Sequence, residues 1–154
     1  MTAAPPAVAL REDQIRRYAR HVLLPDVGGR GQERLLAAAV AVEVGGAAEI
    51  AALAYLAAAG VGRIALTGAV RAPVSEAEAK LGILYGTGDI GRPRIDVIRD
   101  RVAALNGDVA IVEEADGAVA LADELVGAQA DSVADALWLG GSAAARILAR
   151  IARR

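Results

Sequence analysis

The sequence predicts a three-layer α/β domain: a mostly parallel sheet with helices on both faces. Three observations carry this. The run VAVEV at 40–44 is followed by Gly45-Gly46, an Ala/Leu-rich segment from Ala47 to Ala59 closed by Gly60, and a second β-rich run, RIALT at 63–67. That is the order and length of a βαβ unit. Further helical and strand-like runs then alternate, which implies parallel strands covered by crossover helices. With 154 residues, 55% of them hydrophobic, the chain is long enough for one core and too apolar to be wholly disordered.

Each element has a local reason. Residues 1–9 are Ala/Pro-rich and are expected to be disordered, with one domain over 10–154. A helix is expected from Arg11, with Glu12 and Asp13 suiting its N-terminal dipole, Ile15, Tyr18 and Val22 at helical spacing, and Pro25 ending it. Gln32 to Ala39 reads as a short second helix. Gly60 is a natural left-handed stop for the Ala47–Ala59 helix. Ser75 with Glu78 three residues on forms a capping box for a short helix to Leu81. Pro93 precedes a helix from Arg94 to Leu105, with Ile95, Ile98, Val102 and Leu105 on one face, stopped at Asn106-Gly107. DVAIVEE at 108–114 alternates as a strand. Val119 to Val126 reads as a helix, Ala134 to Leu139 as a buried strand, Gly140-Gly141 as a turn, and Ser142 to Arg153 as an N-capped last helix.

Composition excludes several functions. There are 38 alanines, no Phe, one Trp and three Tyr; the 17 basic residues are 16 Arg and Lys80. The formal net charge is −2, so no broad basic field collects nucleic-acid phosphates. Without Cys there is no disulfide, thiolate zinc site or cysteine nucleophile, and the single His21 makes no histidine metal cluster. The longest apolar run, Ile50 to Val61, falls short of the roughly 20 residues a bilayer span needs. The N-terminus shows no secretory pattern, and a cytoplasmic protein is expected.

Five short blocks occur in a telling order: RYAR at 17–20, GQERL at 31–35, YLAAAGVG at 55–62 before a strand, IGRPR at 90–94, and LNGDVAI at 105–111. Together they resemble the ThiF/MoeB/HesA family of ubiquitin-activating-type adenylating enzymes, over roughly residues 10 to 141. The family pattern runs R-Y-x-R-Q, G-Q-x-x-L, G-x-G-G-L-G, Y-L-x-x-x-G-V-G, D-x-D, N-x-x-R-Q, G-x-x-K and L-N-P. The resemblance implies a Rossmann-like fold that binds ATP and Mg²⁺, adenylates the C-terminal glycine of a ubiquitin-like sulfur carrier, and dimerises. A Gly turn brings backbone N–H groups to phosphate at a helix N-terminus. Aspartates hold ribose and metal, and an arginine from the dimer partner neutralises transition-state charge.

This chain departs from that pattern where the chemistry lies. The Gly-rich motif falls on Val44-Gly45-Gly46-Ala47-Ala48-Glu49, so Gly46 alone matches a motif glycine, and Glu49 enters the first helical turn. Beside phosphate its charge costs about 4 kcal/mol per charge pair at 4 Å and ε near 20, on the order of a thousandfold in affinity. D-x-D falls on Gly68-Ala69-Val70, without a carboxylate. N-x-x-R-Q falls near Glu76 to Lys80, and the G-x-x-K lysine is Arg94. The later aspartate has no counterpart beyond Ser142, and the family's C-x-x-C zinc pairs are absent. Gly45, Gly46 and Arg94 therefore stand as a vestigial nucleotide site obstructed by Glu49, with no cofactor expected.

The expected function is that of a degenerate, truncated, non-catalytic family member. It would pair as a homodimer, or as a heterodimer with a ThiF/MoeB-like paralogue, or bind a ubiquitin-like carrier. Arg20 falls on the second arginine of R-Y-x-R-Q, the one lent to a partner subunit; its plainer role is an ordinary salt bridge. The alternatives are residual ATP-dependent adenylation using Arg94, another nucleotide-binding activity, or a structural remnant. Plainer roles also suit the other polar candidates: His21 as a capping residue, Ser75 and Ser142 as N-caps, Arg92 at a helix start, Gly140-Gly141 as a small-residue turn, and Glu113, Glu114 and Asp116 as a solvated cluster.

Overall fold

The computed structural model describes residues 9–153. The expectation for 1–9 lies outside the described residues except at Ala9, which is exposed and outside any helix or strand. The elements are α1 (Glu12–Arg17), α2 (Ala19–Val22), α3 (Gly28–Ala37), β1 (Ala39–Val44), α4 (Ala47–Ala59), β2 (Arg63–Gly68), α5 (Glu76–Leu81), α6 (Arg94–Leu105), β3 (Ala110–Val112), β4 (Val119–Ala120) and α7 (Val133–Arg153). Short 3-10 turns occupy Thr87–Asp89 and Leu121–Glu124.

The sheet runs β3-β2-β1-β4, and every pairing is parallel. Helices flank it, as expected for a Rossmann-like α/β fold. In register, Val40 faces Ile64 and Val42 faces Leu66. These four side chains join Leu53 and Leu56 of α4 with Ile98 and Val102 of α6 in the core. Gly60 adopts φ 84° after α4, and its N–H reaches back to Ala57 O. Gly62 is required by close approach: a Cβ there would lie 1.8 Å from Leu36 O. The Ser75–Glu78 capping box forms as expected.

Five expectations need correction. The first helix breaks at Tyr18 (φ −100°, ψ 17°) into α1 and α2, because Tyr18 turns inward and is 1% exposed. The second helix begins earlier, at Gly28. The 108–114 strand shortens to Ala110–Val112, which is all that β2 pairs with. The 119–126 segment gives β4, paired with β1, and then a 3-10 turn. The strand, turn and helix expected over 134–153 are one 21-residue helix, α7. Gly140 is no turn residue. It sits at the crossing of α7 on α4, where a Cβ would lie 2.2 Å from Ala48 O. Ser142 lies mid-helix, so it is neither an N-cap nor the end of a strand.

A polar network ties the N-terminal helices to the sheet. The Tyr18 hydroxyl accepts from Asn106 Nδ2 (2.9 Å) and donates to Asp108 Oδ2 (3.0 Å). Asn106 Nδ2 also donates to Ala57 O (2.9 Å), and Asp108 Oδ1 accepts from Arg11 (2.8 Å) and Gln14 (3.1 Å). Burial pushes the Asp108 carboxyl up, but hydrogen bonds from Arg11, Gln14 and Tyr18 outweigh it and hold it below the usual carboxylate range. Asp89 is held low by the Gly86 N–H and then by Arg101 and Arg92. Both carboxyls titrate lower folded than unfolded. Their stabilisation is therefore present above about pH 4 and is lost as the pH falls through the folded values. Urea midpoints should drop as the pH falls below about 4, and less steeply in Asp108→Asn than in the parent.

Candidate functional site

The C-terminal end of β1 delivers Val44, then the exposed Gly45, then Gly46 as the N-cap of α4 (φ −109°, ψ 153°). Helix α4 leaves its first N–H groups without intrahelical partners, a natural acceptor for negative charge. Glu49 lies in the first turn of that helix. Its carboxylate folds back over Gly46 so closely that a Cβ on Gly46 would lie 1.9 Å from Glu49 Oε2. Glu49 and Gly46 are thus in contact.

On one side of the turn lies a cleft of about 50 Å³ lined by Gly45, Gly46, Ala47, Ile50, Glu78 and Tyr85. On the other, Glu49 faces Leu125 and Gln129 across a hollow of about 220 Å³. Arg94 stands behind Glu78. Its Nε and Nη2 reach Glu78 Oε1 and Oε2 at 2.8 and 3.1 Å, and its Nη1 donates to Ala69 O at 3.1 Å. Burial raises the Glu78 carboxyl, but bonds from Arg94 and Ser75 leave it below its ordinary value. The two charges are closed on each other, and the 68–70 loop contributes a carbonyl where the family pattern has aspartates.

Tyr85, also in this wall, was not flagged by sequence. It is 4% exposed, its hydroxyl has no partner among the described residues, and burial with the nearby Glu78 charge pushes its phenol up. Glu78 as the partner of Arg94 was likewise invisible, since the two are joined only through the fold.

Arg20 lies at the opposite end of the molecule. Next to it, His21 Nδ1 donates to Gln32 Oε1 (2.9 Å), and the buried Gln32 amide donates to Ala59 O (3.0 Å) at the C-terminus of α4. Thirteen helical residues separate that point from Gly46, a span of roughly 20 Å. The fold brings Gly45, Gly46 and Glu49 together, holds Arg94 behind Glu78 of the cleft wall, and leaves Arg20 apart. Arg20 is exposed and makes no ion pair among the described residues, whereas neighbouring Arg17 lies 3.5 Å from Asp108. Glu113 pairs with Arg71 and Arg99, and no group of three or more His, Asp or Glu among the described residues is placed to hold a metal. None of the described helices is long and apolar enough to cross a membrane.

Residues 18–151 match the sequence profile of the ThiF family. The chain belongs to the ThiF family. It is 39% identical over 101 residues to a probable adenylyltransferase/sulfurtransferase MoeZ of Mycobacterium tuberculosis, covering 66% of this chain and 25% of that protein. It is 41% identical over 95 residues to a sulfur carrier protein adenylyltransferase of Thermus thermophilus, covering 62% and 34%. The ThiF-type chain thus spans between a quarter and about a third of these relatives. Among solved structures, PaaA superposes with a TM-score of 0.60 at 25% identity, covering 87% of this chain and 49% of that one. Escherichia coli MccB shares the fold (TM-score 0.55, 22% identity, covering 75% and 34%).

Proposed function

We propose that this chain is a non-catalytic, partner-binding subunit of ThiF-type adenylation machinery. The observation that carries the proposal is the Glu49 carboxylate folded over Gly46, where an incoming phosphate would dock. The remaining residues fit Mg²⁺-ATP no better. Gly68-Ala69-Val70 offer a divalent cation no carboxylate oxygen. Arg94 is closed by Glu78. The partner that suits this reading is an adenylyltransferase of the same family, receiving Arg20 at its site. The protein adenylated would be a sulfur carrier of the kind named for the Thermus relative.

Adenylation by this chain itself is the second reading, and the relatives favour it, since both are named adenylyltransferases. Heat and ATP separate the two. A ligand present at 100 times its Kd stabilises the native state by about 2.7 kcal/mol. We expect no rise in melting temperature at millimolar ATP·Mg²⁺ and no pyrophosphate exchange. A clear rise, or exchange by the purified chain, refutes the non-catalytic reading. With a catalytic partner, Arg20→Ala should lower the partner's rate without disturbing assembly, and an unchanged rate removes Arg20 from the account.

A further inference from the structure

The cleft beside the 45–47 turn contains a polar group that the fold leaves without a partner. Tyr85 lines it and is 4% exposed, and the Tyr85 hydroxyl makes no hydrogen bond among the described residues. It is the one buried side-chain polar atom of the described residues in that state. Buried polar groups are otherwise almost always paired, because an unpaired one loses its water with nothing in exchange. The charges of Glu78 and Arg94 act on this phenol, which places its hydroxyl end toward the cleft wall that Glu78 forms. Burial pushes the phenol up, so at neutral pH it stays protonated and able to donate.

The other groups around the cleft define what fits that hydroxyl. Ile50, Leu81, Ile83 and Leu84 supply apolar walls. Glu78 is already occupied: Oε1 accepts from Arg94 Nε, and Oε2 accepts from Arg94 Nη2, the Ser75 N–H and the Ser75 hydroxyl. Gly46 and Ala47 border the mouth, where the first N–H groups of α4 lack intrahelical acceptors. The free polar groups are therefore donors. A ligand that fits them carries an acceptor and no N–H of its own to strand. Charge narrows the class further. An anion would meet the carboxylates of Glu78 and of Glu49, which lies against Gly46. A cation would meet the positive end of α4. Either ion would exchange its water for apolar walls.

We propose that this cleft is a binding site for a small uncharged carbonyl compound, a ketone or aldehyde, whose oxygen accepts from the Tyr85 hydroxyl and whose carbon body lies against Ile50, Leu81 and Leu84. Apolar walls around one oriented polar group are the usual make-up of a small-molecule site, and a cleft of about 50 Å³ suits a short chain. This ligand goes beyond the proposed function and does not depend on it. ATP·Mg²⁺ tests the non-catalytic reading, and a ketone tests this one.

Acetone, acetamide and acetate are small planar molecules of nearly one shape, and they separate the acceptor from the N–H and from the charge. Fragments of this size bind at roughly millimolar Kd, so each is titrated to about 100 mM against the isotope-labelled chain by NMR. Acetone should give saturable shifts at the amides of Gly46, Ala47, Leu84 and Tyr85. Acetamide, with its N–H groups to bury, should bind at least about fivefold more weakly, and acetate should not saturate. Tyr85→Phe should weaken acetone at least about fivefold. The variant should melt at or above the temperature of the parent, because it removes a hydroxyl that the fold does not pair. No saturation by acetone overturns the proposal and leaves the hydroxyl to an ordered water. Acetate bound as tightly as acetone, or acetone bound equally by Tyr85→Phe, overturns it as well. A lower melting temperature for Tyr85→Phe also overturns it, by showing the hydroxyl to be bonded within the fold.

Discussion

Gly140→Ala is expected to destabilise the protein by about 2–3 kcal/mol, although Gly-to-Ala inside an ordinary helix stabilises by about 1 kcal/mol. The sign reverses because the added methyl has nowhere to go. It would lie 2.2 Å from Ala48 O, 2.8 Å from Ala51 Cβ and 2.8 Å from Ala52 N, two of them backbone atoms of the facing helix. Relief requires α4 and α7 to move apart along their whole crossing. Gly141→Ala is the internal control. Its methyl would meet Tyr55 Cε2 at 3.2 Å, and the Tyr55 ring is half exposed and able to swing away. That change should be neutral to stabilising by about 1 kcal/mol. Urea denaturation of the pair decides the matter. A strand-turn-helix at 134–153 would give no such contrast, so equal effects at the two positions would dismantle the single-helix account of α7.

The same two glycines show where the sequence could and could not be read. Around β1, α4 and β2, breaks and lengths are local: Gly45-Gly46 stops one element and Gly60 the next, and the boundaries fall where expected. At 140–141 an identical dipeptide punctuates nothing. Whether Gly-Gly is a turn or a contact depends on what lies opposite, and that is set by α4, some ninety residues earlier. A signal was present: buried positions 136, 140, 143, 147 and 151 keep helical spacing straight through the glycines. The break between α1 and α2 has the same origin, since Tyr18 leaves the helical path to reach Asn106 and Asp108.

At the candidate site, the legible residues were those on one turn of chain. Gly46 and Glu49 are three apart, and a helix N-terminus brings such positions together whatever the rest of the fold does. Arg94 was legible as a position but not as a state. Its charge is consumed by Glu78, 16 residues away, through a hydrogen-bonded pair in which Arg94 and Glu78 side chains are 16% and 18% exposed. Sequence spacing across a loop carries no information about such a pair. Two differences from the family pattern are visible in the sequence, the absence of a carboxylate at 68–70 and Glu49 in the first turn of α4; the Arg94–Glu78 pair is a third feature that only the fold displays.

Asn106→Ala is expected to cost about 2–3 kcal/mol. Asn106 is 2% exposed and fills three roles at once: Nδ2 donates to Tyr18 and to Ala57 O, and Oδ1 accepts from the Asp108 N–H at 3.1 Å. Truncation leaves the Asp108 N–H unpaired at the entry to β3 and removes one of the two donors on Ala57 O, which keeps the Gly60 N–H. Tyr18→Phe should cost less, about 1 kcal/mol, because Asn106 keeps Ala57 O and Asp108 keeps Arg11 and Gln14. The ratio between the two variants is the informative quantity, read from urea midpoints at pH 7. If Asn106→Ala costs no more than Tyr18→Phe, water reaches the vacated site. The tyrosine of RYAR and the asparagine of LNG would then be separate surface features rather than two ends of one clamp that seats α1 and α2 beneath the sheet.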